Sequence, residues 1–324
     1  MKIARWQHNG LAHDGLVENG KVYAFAGGYS NEDLVKLGLP MALKVGALTL
    51  AAATGNEPSL EEVDLLVPIQ PPSIRDFVAF EEHVEGVVKS IDSSEGVVPE
   101  WYEYPTFYFT NPNSLIATGD VMNPPVCQRL DFELEVGVVV GAVDGRDGSN
   151  LTPAEAREAI FGYTIFNDWS ARDVQAREMK VRLGPAKGKD FATTLGPWIV
   201  TADEFESRHD DEGFLNLLMT VSINGVEIGR DSLANMGWPL SELIAYASRN
   251  TRVVPGDVLG SGTAGSGCLA ELWGRAGGLT PPPLKAGDEV VMTVEGIGEI
   301  RNVVGEAVEA PAIPRARVRP RMAR

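Results

Sequence analysis

The chain has 324 residues, of which 44% are hydrophobic, and it carries a formal net charge of −17. That charge leaves no broad basic surface for nucleic acid, and the length suits one large domain with a smaller companion. With only Cys127 and Cys268 present, no disulfide framework is implied and a reduced compartment is the default.

The first eight residues lack the apolar core of a signal peptide. The longest apolar run, around residues 136–143, is far short of a membrane span, so the expected location is cytoplasmic. Residues 1–65 read as a small N-terminal α+β module. Strands are expected at 2–6 and 21–25, beside the turn signals Asn9-Gly10 and Asn19-Gly20, with short helices at 32–37 and 40–53. His8 and His13 read as surface residues. Pro68, Pro71 and Pro72 suggest a linker over 65–72.

Residues 74–83 read as a strand leading into a segment that carries His83. The polar stretch Ser90, Asp92, Ser93, Ser94, Glu95 and Gly96 suits a mobile flap. The aromatic residues of 101–109 suit a core, an interface or a ligand wall beside that flap.

Residues 131–140 form the most informative stretch. Its β-branched run favours extended backbone, so alternate side chains point to opposite faces. Leu134, Val136, Val138 and Val140 then share one apolar face, and Glu133 and Glu135 share the other. Two carboxylates about 5 Å apart repel by roughly 3 kcal/mol at an effective dielectric near 20. Either water bathes that face, as on a half-solvated antiparallel strand, or a cation sits over it. Asp168 follows the apolar run 163–166 and is expected at a strand end. Three acidic oxygens with no nearby Cys or His describe a hard-cation site, Mg²⁺ first, then Mn²⁺ or Ca²⁺.

Thr152-Pro153-Ala154-Glu155 is a helix start. A second helix is expected over 169–179, with Arg172 and Gln175 on one side. Residues 183–194 form a glycine- and proline-bearing loop with Lys187 and Lys189. Strands follow at 194–201 and 217–223, the latter turning at Asn224-Gly225. Residues 238–250 have a helical period. Residues 258–267 read as a Gly/Ser loop, too irregular for a dinucleotide fingerprint, with Glu271 just beyond it. A closing hairpin spans 288–304. Many short strands and few long helices indicate a β-rich mixed α+β fold. In the tail, 306–324, arginines 315, 317, 319, 321 and 324 alternate with smaller residues, as in an extended arm or a frayed terminus.

The Glu-x-Glu strand, then Asn-Asp-Trp-Ser-Ala-Arg-Asp-Val-Gln at 167–175 and Leu-Gly-Pro-x-x-Gly-Lys-x-Phe at 183–191, resemble the fumarylacetoacetate hydrolase family. Pro197-Trp198, Gly260-Ser261-Gly262-Thr263 and Gly296-Ile297-Gly298-Glu299 follow in the family's order. The resemblance covers residues 66–305, and implies a β-sandwich roll, a homodimer and a divalent ion held by carboxylates. It implies Glu133, Glu135 and Asp168 as metal ligands and adds Asp76, seven residues before His83. It makes His83 the essential histidine with Glu271 as its partner. Arg172, Gln175 and Lys189 match residues that contact substrate and a developing oxyanion, and Tyr108 and Thr263 match substrate-side positions. The family members that cleave fumarylacetoacetate place a tyrosine where this chain has Val78, and arginines near Asp92 and Asn111. Those arginines engage a substrate carboxylate, so the resemblance supports the chemistry more than that one substrate.

Hydrolysis of a β-diketone needs a base for water, fixed positive charge for the alkoxide, and a sink for the departing carbanion. His83 with Glu271, Lys189 with Arg172 and Gln175, and the metal cluster supply these in turn. The expected activity is therefore metal-dependent C–C hydrolysis of a small β-diketo acid of the fumarylacetoacetate or acylpyruvate type, in aromatic or related catabolism. A decarboxylase, isomerase or dehydratase acting on a 2-keto acid, and a non-catalytic cation-binding scaffold, are the alternatives.

Overall fold

The structure is a computed structural model and describes residues 1–92 and 96–319. The Leu134–Val140 strand lies inside an 11-stranded sheet. Its main path runs Lys21–Ala24, Leu11–Glu18, Lys2–His8, Thr193–Thr201, Ile160–Asp168, Leu134–Val140, Val258–Gly260, Ile74–Phe77, Phe107–Thr110. Asp64–Leu66 pairs with Lys2–His8, and Leu115–Ile116 with Thr193–Thr201. A five-stranded sheet runs Val226–Ser232, Leu218–Ile223, Glu289–Val294, Gly298–Val304, Val121–Met122. Its first hairpin turns at Asn224 and Gly225, both at positive φ, as a two-residue turn of the primed type requires.

The two sheets face each other across the main core. Leu134, Val136, Val138 and Val140 pack there with Met219, Val221, Met292 and Ile300. Val139 points the other way and packs with Ile3, Leu16, Leu34 and Phe166. Both faces of the central strand are thus covered, and each fully buried Val or Leu contributes roughly 1.5–3 kcal/mol. The result is the expected β-rich mixed fold, with open sheets packed as a sandwich.

The boundaries differ from expectation in four places. Leu11–Glu18 is a strand that its polar residues concealed; it pairs along the whole of Lys2–His8. Residues 258–260 are a buried strand, not part of a loop. The helix expected from 169 begins at Arg172, because Ser170–Ala171 pairs with Leu130–Asp131. The Glu81–Asp92 helix runs into the stretch expected as a flap, whose residues 93–95 lie outside the described residues. Residues 309–319 of the tail are exposed and have no helix or strand; Arg321 and Arg324 lie outside the described residues. Among the described residues no helix is long and apolar enough to cross a membrane.

Candidate active site

Neighbouring strands of the large sheet bring the acidic residues together. Asp76 ends up opposite Gly260 in the parallel pairing of Ile74–Phe77 with Val258–Gly260. Gly260 is opposite Gly137, two residues beyond Glu135. Asp168 closes the Ile160–Asp168 strand as expected, beside the residues that follow Glu133. Asp76, Glu133, Glu135 and Asp168 are all buried, so the solvated-face reading of Glu133 and Glu135 is overturned. Oxygens of Asp76, Glu133 and Asp168 lie within 4.8 Å of one another. Glu135 flanks this group: a Cβ built on Gly260 would lie 2.8 Å from both Asp76 Oδ1 and Glu135 Oε2. Glu135 Oε2 accepts from the Gly262 N–H at 3.0 Å, and the buried Thr263 hydroxyl sits 3.4 Å from Oε1.

Two cations answer the four acids. Lys189 Nζ donates to Glu133 Oε2 and Asp168 Oδ2, each at 2.5 Å. Arg172 Nη2 lies 2.8 Å from Glu133 Oε1, out of line for a hydrogen bond. Its Nε donates to Asp131 Oδ2 at 2.8 Å and its Nη1 to Gln175 Oε1 at 3.2 Å. The Tyr108 hydroxyl donates to Asp168 Oδ2. Burial, then Asp168, pushes the Asp76 carboxyl well above the ordinary range. Burial, then Asp76, does the same to Glu135. Burial also acts on Glu133, but Lys189, Arg172 and His83 outweigh it and hold that carboxyl low. Burial favours a neutral Lys189, yet Asp168 and Glu133 raise its ammonium above the usual lysine value.

The site is thus short of positive charge, since Arg172 is shared with Asp131. Among the described residues the buried Oδ1 atoms of Asp76 and Asp168 have no hydrogen-bond partner. Hard oxygen donors, two orphaned lone-pair sets and a charge deficit fit a divalent cation held by Asp76, Glu133, Glu135 and Asp168.

His83 stands on the other side of Glu133. Its Nε2 is 3.9 Å from Glu133 Oε1, and its Nδ1 is 3.8 Å from Glu271 Oε2. The helices that carry the two residues, Glu81–Asp92 and Leu269–Ala276, pack on each other. Glu271 is fixed by the Ser266 N–H, which reaches its two oxygens at 2.9 and 2.8 Å, and by Arg275. Arg275 also donates to Glu82 Oε1 at 2.5 Å and so ties the two helices together. A cleft of about 290 Å³ opens beside the cluster, lined by Tyr108, Phe109, Asn111, Pro185 and Lys189 among others.

Residues 73–305 match the family model described as "Fumarylacetoacetate (FAA) hydrolase C-terminal", well over half of the chain. The chain belongs to the fumarylacetoacetate hydrolase family. A fumarylacetoacetase from Arabidopsis thaliana is 30% identical over 309 residues, covering 78% of this chain and 73% of the plant protein. An oxaloacetate tautomerase from Bacillus subtilis is 28% identical over 250 residues, covering 76% of this chain and 75% of the relative. A solved fumarylacetoacetate hydrolase from Exiguobacterium antarcticum superposes with a TM-score of 0.71 at 26% identity, covering 94% of this chain and 99% of that one. Against the Dictyostelium discoideum and bovine fumarylacetoacetases the chain spans 57% and 64% of their lengths. The chain is therefore an enzyme of the fumarylacetoacetate hydrolase family, whose relatives named here include hydrolases and a tautomerase.

Three residues of this family member escaped sequence reasoning. Asp131 accepts from the Leu269 and Ala270 N–H groups at 2.7 and 2.9 Å, joining Arg172 to a helix N-terminus. Its adjacency to Phe132-Glu133 was the available signal. Arg275 lies four residues after Glu271, a spacing that sequence alone exposes. Cys268 Sγ lies 3.6 Å from His83 Nδ1, across 185 residues of chain, and no local signal pointed to it.

Proposed function

We propose that the protein hydrolyses a carbon–carbon bond in a small β-diketo acid of the fumarylacetoacetate or acylpyruvate type. The observation that carries this reading is His83, with a carboxylate facing each ring nitrogen at 3.9 and 3.8 Å beside the acidic cluster. When bound at Asp76, Glu133, Glu135 and Asp168, a divalent ion (Mg²⁺, Mn²⁺ or Ca²⁺) would chelate a 1,3-dicarbonyl and draw electron density from it.

The remaining chemistry belongs to the chain. His83 takes a proton from water at Nε2, and Glu271, pinned by Ser266 and Arg275, holds the ring and balances the charge gained at Nδ1. Hydroxide adds to the carbonyl carbon, and Lys189 and Arg172, with Gln175 fixing the guanidinium, meet the negative charge on its oxygen. The C–C bond then breaks with its electron pair on the departing carbon, which receives the proton held by His83. Tyr108 and Lys189 line the cleft and so face the substrate; Thr263, behind Glu135, supports that ligand. In this reading the enzyme works in the cytoplasm, in aromatic or related catabolism, as a homodimer.

A second reading is favoured by the Bacillus subtilis relative, which covers 76% of the chain against 78% for the plant hydrolase. The same histidine could move a proton on a 2-keto acid without cleavage. Incubation with acylpyruvates, fumarylacetoacetate and oxaloacetate in the presence of Mg²⁺ or Mn²⁺ separates the two. Release of pyruvate or acetoacetate supports hydrolysis. Loss of enol absorbance with no new acid supports tautomerisation, and release of CO₂ supports decarboxylation.

A further inference from the structure

Cys268, His83 and Glu271 form a second constellation, separate from the oxygen cluster. All three are buried, and one ligand atom from each lies within 4.8 Å of the other two. Sγ to Nδ1 is 3.6 Å and Nδ1 to Glu271 Oε2 is 3.8 Å. In a tetrahedral zinc site with ordinary Zn–S and Zn–N bond lengths, the S···N edge is about 3.6 Å and the N···O edge about 3.4 Å. The three side chains therefore already stand close to the spacing of three zinc ligands. Ser266 N–H orients both Glu271 oxygens, while Arg275 engages only Oε1, so Oε2 keeps a lone pair toward the imidazole.

We propose that Cys268, His83 and Glu271 bind a thiophilic divalent ion, of which Zn²⁺ is the type, and that this ion silences the enzyme by taking His83 Nδ1. A thiolate, an imidazole and one carboxylate select a borderline-soft metal, whereas the neighbouring all-oxygen cluster selects a hard one. Binding forms Zn–S, Zn–N and Zn–O bonds and releases the Cys268 thiol proton to solvent, with no change of oxidation state. The inhibition rests on the reading of His83 as the base; the binding rests on geometry alone.

The test uses the full chain saturated with Mg²⁺. Titration with Co²⁺, a spectroscopic stand-in for Zn²⁺, is expected to produce a thiolate-to-cobalt charge-transfer band in the near ultraviolet. The band is expected to vanish in Cys268→Ser and to persist in Cys127→Ser. Under the same conditions Zn²⁺ is expected to inhibit the wild type at concentrations at least tenfold below those needed for Cys268→Ser. A band that survives in Cys268→Ser, or equal inhibition of both proteins, would overturn the site. A band that depends on Cys268 with turnover intact would uphold the site and sink the role of His83 as base.

Discussion

Gly86 lies directly against Glu271: a Cβ built on Gly86 would come 2.4 Å from the Glu271 Cγ. The two residues sit on the helices that carry His83 and Glu271, so the missing side chain sets how closely those two approach. Gly86→Ala gains about 1 kcal/mol of helix propensity but must push Glu271 aside. Displacements of about 1 Å near the reacting groups cost on the order of 100-fold in rate. The expected outcome is a kcat at least about tenfold lower with little change in Tm. Unchanged kcat would mean that Glu271 does not orient the histidine.

Removal of the proposed base gives a sharper test. His83→Ala is expected to lower turnover by about 10²–10⁴, while a calorimetric Mn²⁺ isotherm stays like that of the wild type. Glu271→Gln keeps the shape but loses the charge, and is expected to cost about 10–100-fold. Retained turnover in His83→Ala would remove the base assignment.

Lys189 bridges Glu133 and Asp168 and offsets their mutual repulsion. Lys189→Met leaves two buried carboxylates without that cation, and breaking a buried ion pair from one side costs about 3–5 kcal/mol. In chelator-treated protein the variant should melt well below the wild type. Added Mn²⁺ should recover more of the Tm in the variant than in the wild type, and activity should stay lost even with the metal restored. Melting curves with and without Mn²⁺ decide this, and equal Tm values in chelator would contradict it.

Far from the site, Asp14 offers a pH-dependent test. Burial pushes its carboxyl up to about 6, with Arg5 3.9 Å away opposing the rise and Glu32 and Asp33 adding to it. A raised carboxyl value means that the folded chain binds this proton more tightly than the unfolded chain does. The folded state therefore loses stability as pH climbs from about 4 to about 6, and the penalty stays constant above that. The side chain is only partly buried and faces the Arg5 guanidinium, so Asp14→Asn is expected to gain only about 1 kcal/mol at pH 8, with the gain gone near pH 4. Urea titrations at the two pH values measure it.

Much of the acidic cluster was legible because strand alternation and a strand end are local signals. Glu133, Glu135 and Asp168 could be placed from the run of β-branched residues around them, although alternation alone favoured a wetted face. The pairing of His83 with Glu271 came from motif order, since 188 positions separate them and periodicity says nothing at that range. Residues 258–260 misled for a physical reason. Glycine usually marks a loop, but Gly260 is a strand residue whose absent side chain makes room for Asp76 and Glu135. Cys268 was unreadable as a neighbour of His83 because only the packing of two helices brings them together. Leu11–Glu18 was hidden by Ala12, His13, Asp14 and Gly15, none of them β-branched, in a strand second from the edge of the sheet.

The carboxylates rise from within a run of four consecutive strands of one hydrogen-bonded sheet, whose pitch of about 4.8 Å is dictated by peptide geometry. The chemical floor of the enzyme is consequently rigid and offers little room for adaptation. Of the walls above it, residues 184–189 are irregular chain, whereas Tyr108 stands on the edge strand Phe107–Thr110. Swapping residues 184–188 between relatives should transplant substrate preference while leaving Lys189 and the acidic floor beneath it untouched.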